Sequence, residues 1–209
     1  MGVRTTPGSS GGDYDLSNPA GSFVDVVRRV VTTPAEFFSG IPGRGNYLAP
    51  LVFALICALV SAVFGGLLRL AWRSEAVGGV RFEGEGLGLL EFFGAILWVP
   101  IGSTIGLFVV AGVAHLLVML FVGNANSGFE ATFRVACYAA VTNLVNWIPF
   151  IGGLLALYGF YLAVVGIREV HSTTTGKAAL VVLLPIGAIL LLVLVVFLVA
   201  GAFILSRMA

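Results

Sequence analysis

The chain has 209 residues, of which 59% are hydrophobic and only 10% are Asp, Glu, Lys or Arg, against about a quarter in an ordinary globular domain. Eleven cationic and ten acidic residues leave a formal net charge of +1, and the cations are scattered, which excludes nucleic acid as a partner. So few charges cannot build a water-facing surface, and the lipid bilayer is read as the main solvent and first partner.

In chain order, residues 1–20 combine Gly, Ser and Pro with almost no apolar content. Such a segment cannot bury enough surface to offset its ordering entropy and is read as a disordered tail. It has no basic region followed directly by an apolar one, so no cleaved signal peptide is expected, and the N-terminus is assigned to the side of synthesis. Met1 to Thr6 matches the loose myristoylation pattern, which is short enough to arise by chance.

Residues 21–45 read as an amphipathic segment. Phe23, Val27, Val30 and Val31 share one side of a helix while Asp25, Arg28 and Arg29 point elsewhere, the pattern of a helix lying in the membrane interface. Thr33-Pro34-Ala35-Glu36 reads as a capping box with proline at the first helical position, and Gly40 closes the short helix. Phe37 and Phe38 suit an interfacial anchor.

The fold expected is all-α: a polytopic transmembrane helix bundle with five spans, preceded by that interfacial helix. The membrane domain covers residues 46–206, with spans at about 47–72, 99–122, 130–148, 153–167 and 178–205. Tyr47 and Trp72 bracket the first span at headgroup level. Pro100 divides the long apolar run after Leu87 into a lead-in helix, Leu87 to Trp98, and span two. Ser127-Gly128-Phe129-Glu130 reads as a second capping box that starts span three just before Ala131. Ile148-Pro149-Phe150-Ile151-Gly152-Gly153 breaks the next run into a tight hairpin of spans three and four, and Pro185 lies near the start of span five. Small residues at i, i+4 spacing, with Ala54, Ala58, Ala62 and Gly66 in span one and Gly102 and Gly106 in span two, imply a compact bundle.

Five spans put the termini on opposite faces. Arg4, Arg28, Arg29, Arg44, Arg134, Arg168 and Lys177 then fall on the N-terminal side, and Arg69, Arg73, Arg81 and Arg207 on the other. The bias orients the N-terminus to the cytoplasm, in the cell membrane if the source is prokaryotic. Glu75, Glu83, Glu85 and Glu91 crowd the first far-side loop.

Polar residues at membrane depth are few. His115 lies late in span two, and Asn143 and Asn146 share one face of span three. They either hydrogen-bond neighbouring helices or line a path, and the absence of an acid or second charge within the spans weakens an ion-coupled path. No metal or catalytic signature is present: the only histidines are His115 and His171, and the only cysteines, Cys57 and Cys137, lack ligand spacing. No cofactor is expected. Tyr138 and Ser103 are the only residues a membrane-embedded enzyme could draw on.

Several ordered features resemble the Yip-one (Ypt-interacting protein one) domain family in its prokaryotic form. They are Pro34-Ala35-Glu36-Phe37-Phe38 ahead of Tyr47-Leu48-Ala49-Pro50-Leu51; Ala114-His115-Leu116 before Gly123; Phe129-Glu130-Ala131-Thr132-Phe133-Arg134 with Cys137-Tyr138; Trp147-Ile148-Pro149-Phe150-Ile151-Gly152; and Gly166-Ile167-Arg168-Glu169-Val170-His171 leading to Gly176-Lys177-Ala178. The resemblance covers about Phe23 to Pro185. Asn124 stands where the family often has a second glycine, and the DLYGP-like signature of the eukaryotic trafficking members is absent, so their small-GTPase partner is not carried over. What the resemblance implies is a five-span, non-enzymatic membrane protein that organises membrane or recruits partners. The amphipathic segment and the Arg168 to Lys177 loop would be its cytoplasmic contacts, with room for a homo-oligomer. His115, Tyr138, Asn143, Asn146, Pro149, Arg168 and His171 are the candidate intramembrane polar or interaction residues. The alternative is a small permease or channel lined by His115, Asn143 and Asn146, with Pro100, Pro149 and Pro185 breaking helices around a cavity.

Overall fold

The computed structural model describes residues 13–42, 45–71 and 88–208, all in helices, turns or irregular segments, with no strand among them. Residues 72–87, with Trp72, Arg73, Glu75, Arg81, Glu83 and Glu85, lie outside the described residues, as do Arg4, Arg44 and the Met1–Thr6 pattern. Four helices are long and apolar enough to cross a membrane: α3 (Leu48–Ala71), α4 (Leu89–Phe121), α7 (Ile151–Val170) and α8 (Thr175–Met208). Their outer faces are unpaired apolar surface. Every residue of α8 from Gly187 to Ala200 is exposed, which water would not tolerate and a hydrocarbon solvent favours.

Two expectations change here. Leu87 to Trp98 is not a separate lead-in: α4 runs unbroken through Pro100 for 33 residues. Proline removes the donor that the Ile96 carbonyl would have accepted, a loss transmembrane helices absorb; separately, the Thr104 hydroxyl back-bonds to the Pro100 carbonyl at 2.7 Å. Conversely, the segment expected as span three is not one helix. It consists of α5 (Phe129–Ala139), a 3-10 turn at Ala140–Thr142 and α6 (Asn143–Asn146). The Thr142 hydroxyl donates to the Ala139 carbonyl at 3.3 Å, competing with the helical ladder where it tightens.

The N-terminal segment departs most from its sequence reading. Asp13 and Tyr14, grouped by composition with the tail, pack against the bundle, and α1 (Pro19–Thr32) and α2 (Pro34–Ser39) follow. Phe37 and Phe38 are fully buried within protein rather than anchored in lipid: Phe37 meets the Tyr138 ring edge-on at 5.0 Å, and Phe38 packs beside Gly166 of α7. Burying a phenylalanine in protein contributes roughly 1.5–3 kcal/mol relative to exposure in water, and a groove beside a glycine accommodates the rings. Neither expected capping box forms. Thr33 makes no side-chain cap, the Ser127 hydroxyl donates to the Val170 carbonyl, and Glu130 turns to Arg134.

Contacts define two ends of the bundle. At one, Tyr47 at the start of α3 meets Phe129 and Phe133 of α5, His115 near the end of α4 meets Thr132, and Ser127 meets His171 after α7. At the other, Phe64 of α3 stacks on Trp147, Phe92 of α4 lies on Gly66, and Gly152 of α7 sits against the Asn146 carbonyl. The small seam of α3 is used at Ala54, buried against α5, and at Gly66, where a Cβ would lie 2.5 Å from the Phe92 ring. Gly102 and Gly106 of α4 are not part of the bundle: both are exposed, with open space where a Cβ would be.

Candidate functional site

The buried polar chemistry gathers around α5. This helix is covered on all sides, with Ala131 to Val135, Cys137 and Tyr138 all buried among α3, α4, α7 and the N-terminal segment. A charge in such a place persists only with partners, because removing it from water costs several kcal/mol. Arg134 is 1% exposed and has three. Its Nη1 donates to the Asp13 carboxylate, and its Nη2 to Glu130 Oε1 at 3.2 Å and to the Asn46 carbonyl at 3.1 Å. Its Nε has no partner among the described residues. One turn on, the Tyr138 hydroxyl donates to the other oxygen of Asp13 and accepts the Tyr14 backbone N–H at 3.0 Å. Tyr14 then packs its ring against Phe23 and Phe53. Asp13 thus bridges two residues of α5, and Gly45 closes the wall: a Cβ there would lie 2.6 Å from Arg134 Nη2.

A second network lies on another face of α5. Thr132 Oγ1 stands 3.0 Å from His115 Nδ1 on α4 and 2.9 Å from His171 Nε2 beyond the end of α7. Nδ1 of His171 accepts the Ser127 backbone N–H at 3.1 Å. Gly123 and Gly128, both at positive φ, shape the turn that delivers Ser127, and the Asn126 side chain braces it through Gly123 and Gly128. Burial, reinforced by His115 nearby, holds the His171 imidazole below the ordinary histidine pKa.

Of the residues singled out from sequence, the structure brings His115 and His171 together through Thr132, and seats Tyr138 in the first network. The others stand apart. Asn143 and Asn146 lie beyond the 3-10 turn, Asn143 about 16 Å along the helix axis from Thr132 at 1.5 Å per residue, and neither joins the His115–Thr132–His171 network. Pro149 is exposed in the turn before α7, and Arg168 pairs with Glu169 while reaching Thr175. Sequence reasoning missed Asp13, Tyr14, Ser127, Glu130, Thr132 and Arg134 as site residues. The lone cation Arg134 amid apolar neighbours was the legible signal for part of this set, whereas nothing local marks Asp13. Among the described residues, no three His, Cys, Asp or Glu side chains gather as a metal-ligand group.

The family model of the Yip1 domain matches residues 28–197, which include every member of both networks except Asp13 and Tyr14. No curated protein and no solved structure matches the chain. With that match over most of its length and four apolar helices of spanning length, the chain is a multi-pass membrane protein belonging to the Yip1 domain family.

Proposed function

We propose that this protein is a non-enzymatic membrane organiser that recruits partners on one face of the membrane, with five passes and a cytoplasmic N-terminus. The observation that carries the reading is the convergence, at one end of the bundle, of the N-terminal segment on α5 through Asp13 and of the α7–α8 junction on α5 through His171. Arg28 on α1 and Lys177 in the first turn of α8 are exposed charges available to a partner. The Yip1 family is not an enzyme family, and the Tyr138 hydroxyl is committed to Asp13 and Tyr14.

The fifth pass is α5 with α6. Residues 129–146 rise about 27 Å at 1.5 Å per residue, close to a hydrocarbon core of about 30 Å, and their two ends contact opposite ends of the bundle. Protein on all sides of α5 compensates for its charge and for the break at Thr142. The excess of cations on the N-terminal side supports a cytoplasmic N-terminus.

Deleting residues 22–40 would remove Val26, Val30, Phe37 and Phe38 from the core, so charge reversal is the cleaner test. Crosslinking in native membranes should capture partners that Arg28→Glu with Lys177→Glu loses at unchanged protein level. An unchanged partner set would overturn recruitment from this face. Separately, Ser17→Cys and Arg207→Cys should react with an impermeant thiol reagent from opposite sides of the membrane, against the buried background of Cys57 and Cys137. Reaction from the same side would overturn the five-pass reading.

A further inference from the structure

The direction of every hydrogen bond in the Ser127–His171–Thr132–His115 chain follows from its first member. A backbone N–H can only donate, so Nδ1 of His171 accepts, and the neutral ring carries its proton on Nε2. That N–H donates to Thr132 Oγ1, and the hydroxyl proton then satisfies Nδ1 of His115, whose own proton sits on Nε2. The arrangement has no room for an imidazolium at His171. The new Nδ1–H would face the Ser127 N–H at 3.1 Å, donor against donor, while the Nε2–H bond to Thr132 Oγ1 stays as it was. At 1% exposure, no bulk water is at hand to take up the displaced donor.

The surrounding charges do not rescue the cation. On α4 the facing group is His115, with its ring centroid 6.3 Å away, so charging both rings adds repulsion. On α5, Glu130 is engaged by Arg134; at the end of α7, Arg168 and Glu169 pair with each other; on α8, Lys177 is exposed. Ser127 also donates its hydroxyl to the Val170 carbonyl at 2.5 Å, so the same residue ties the α4–α5 turn to the α7–α8 junction twice.

We propose that His171 is a proton-sensitive clamp, whose protonation releases the α4–α5 turn from the α7–α8 junction and opens that end of the bundle. The lowered pKa agrees in sign. A histidine with folded pKa below its unfolded value contributes stability that is full above the ordinary imidazole pKa and is lost as pH falls toward the folded value. The clamp stands whether or not this end recruits a partner.

The chain has only two histidines, so histidine-labelled protein in nanodiscs gives two ring signals to follow by nitrogen and carbon NMR. At about pH 7.5 both rings should be neutral with the proton on Nε2. Toward about pH 5 the thermal midpoint should fall, and hydrogen exchange in residues 123–130 and 168–176 should rise at least tenfold after correction for intrinsic rates. His171→Asn, whose Oδ1 can still accept from Ser127 but cannot be protonated, should remove at least half of that fall. Thr132→Val should cut the link to His115 and leave the pH response in place. A proton on Nδ1 of His171, a His171 titration in the ordinary imidazole range, or an undiminished fall in His171→Asn would overturn the clamp. If His171→Asn does not fold, the tautomer and titration of the unaltered protein decide the matter alone.

Discussion

The carboxylate of Asp13 closes on the guanidinium of Arg134 across 121 positions of sequence, joining a segment that precedes the first helix to the most enclosed helix of the bundle. Asp13→Ala takes the acceptor from the Tyr138 hydroxyl and one charged partner from Arg134, but leaves Glu130 and the Asn46 carbonyl on the same guanidinium. The expected loss is therefore roughly 1.5–3 kcal/mol, the range for a hydrogen bond to a charged group. Arg134→Ala strands two carboxylates and opens a cavity, so it should cost more, about 3–5 kcal/mol. Denaturant titration in mixed micelles checks the order, and equal losses would contradict the shared-partner geometry.

Glycine substitutions should separate buried from open positions. At Gly152 a Cβ would lie 2.4 Å from the Asn146 carbonyl oxygen, which is backbone and cannot swing away. Gly152→Ala should thus destabilise strongly, whereas Gly66→Ala meets only the Phe92 ring, which can rotate. At Gly102 nothing stands within 4 Å, so Gly102→Ala should stabilise by up to about 1 kcal/mol through helix propensity. Thermal midpoints in one detergent rank the three, and a destabilising Gly102→Ala would reveal an occupant of that face.

Phe38→Ala should cost about 3–5 kcal/mol, the figure for a large core side chain, because its ring is fully buried beside Gly166. Phe93→Ala, on the exposed face of α4, should change the midpoint little. Were Phe38 a lipid anchor, the two variants would behave alike.

Phe150 adopts φ 65° and ψ −49°, with the Ile151 N–H donating to the Pro149 carbonyl at 2.8 Å, a γ-turn of the strained hand. Its side chain is almost wholly exposed. Phe150→Gly should raise stability by about 1 kcal/mol, since glycine adopts positive φ without the clash. A fall in the thermal midpoint would show that the exposed ring contributes more than the strain removes.

How much of this was legible in the residues varies with the range of the cause. The apolar runs that became α3, α7 and α8 were readable because membrane crossing is set by length and hydropathy alone. The break at Ile148 to Gly153 was readable because proline and glycine punctuate the chain locally. Pro100 misled in the same terms: the punctuation is present, yet the helix tolerates the one lost donor and runs on to Phe121. His115, His171 and Tyr138 were flagged as polar residues in an apolar chain, but which of them share a network was not, and Asn143 and Asn146 carried an equal signal without joining one.

By itself the sequence determined that this chain lives in lipid and is helical, because each property is a sum over local residues. Only tertiary structure decided that Asp13 and Tyr14 belong to the bundle, that Phe37 and Phe38 face protein rather than lipid, and that Arg134 and His171 are buried with partners. Those outcomes depend on which surfaces meet after the helices pack. Hydropathy treats a lipid chain and a neighbouring helix as the same apolar surrounding, so it cannot say which of the two a phenylalanine will touch.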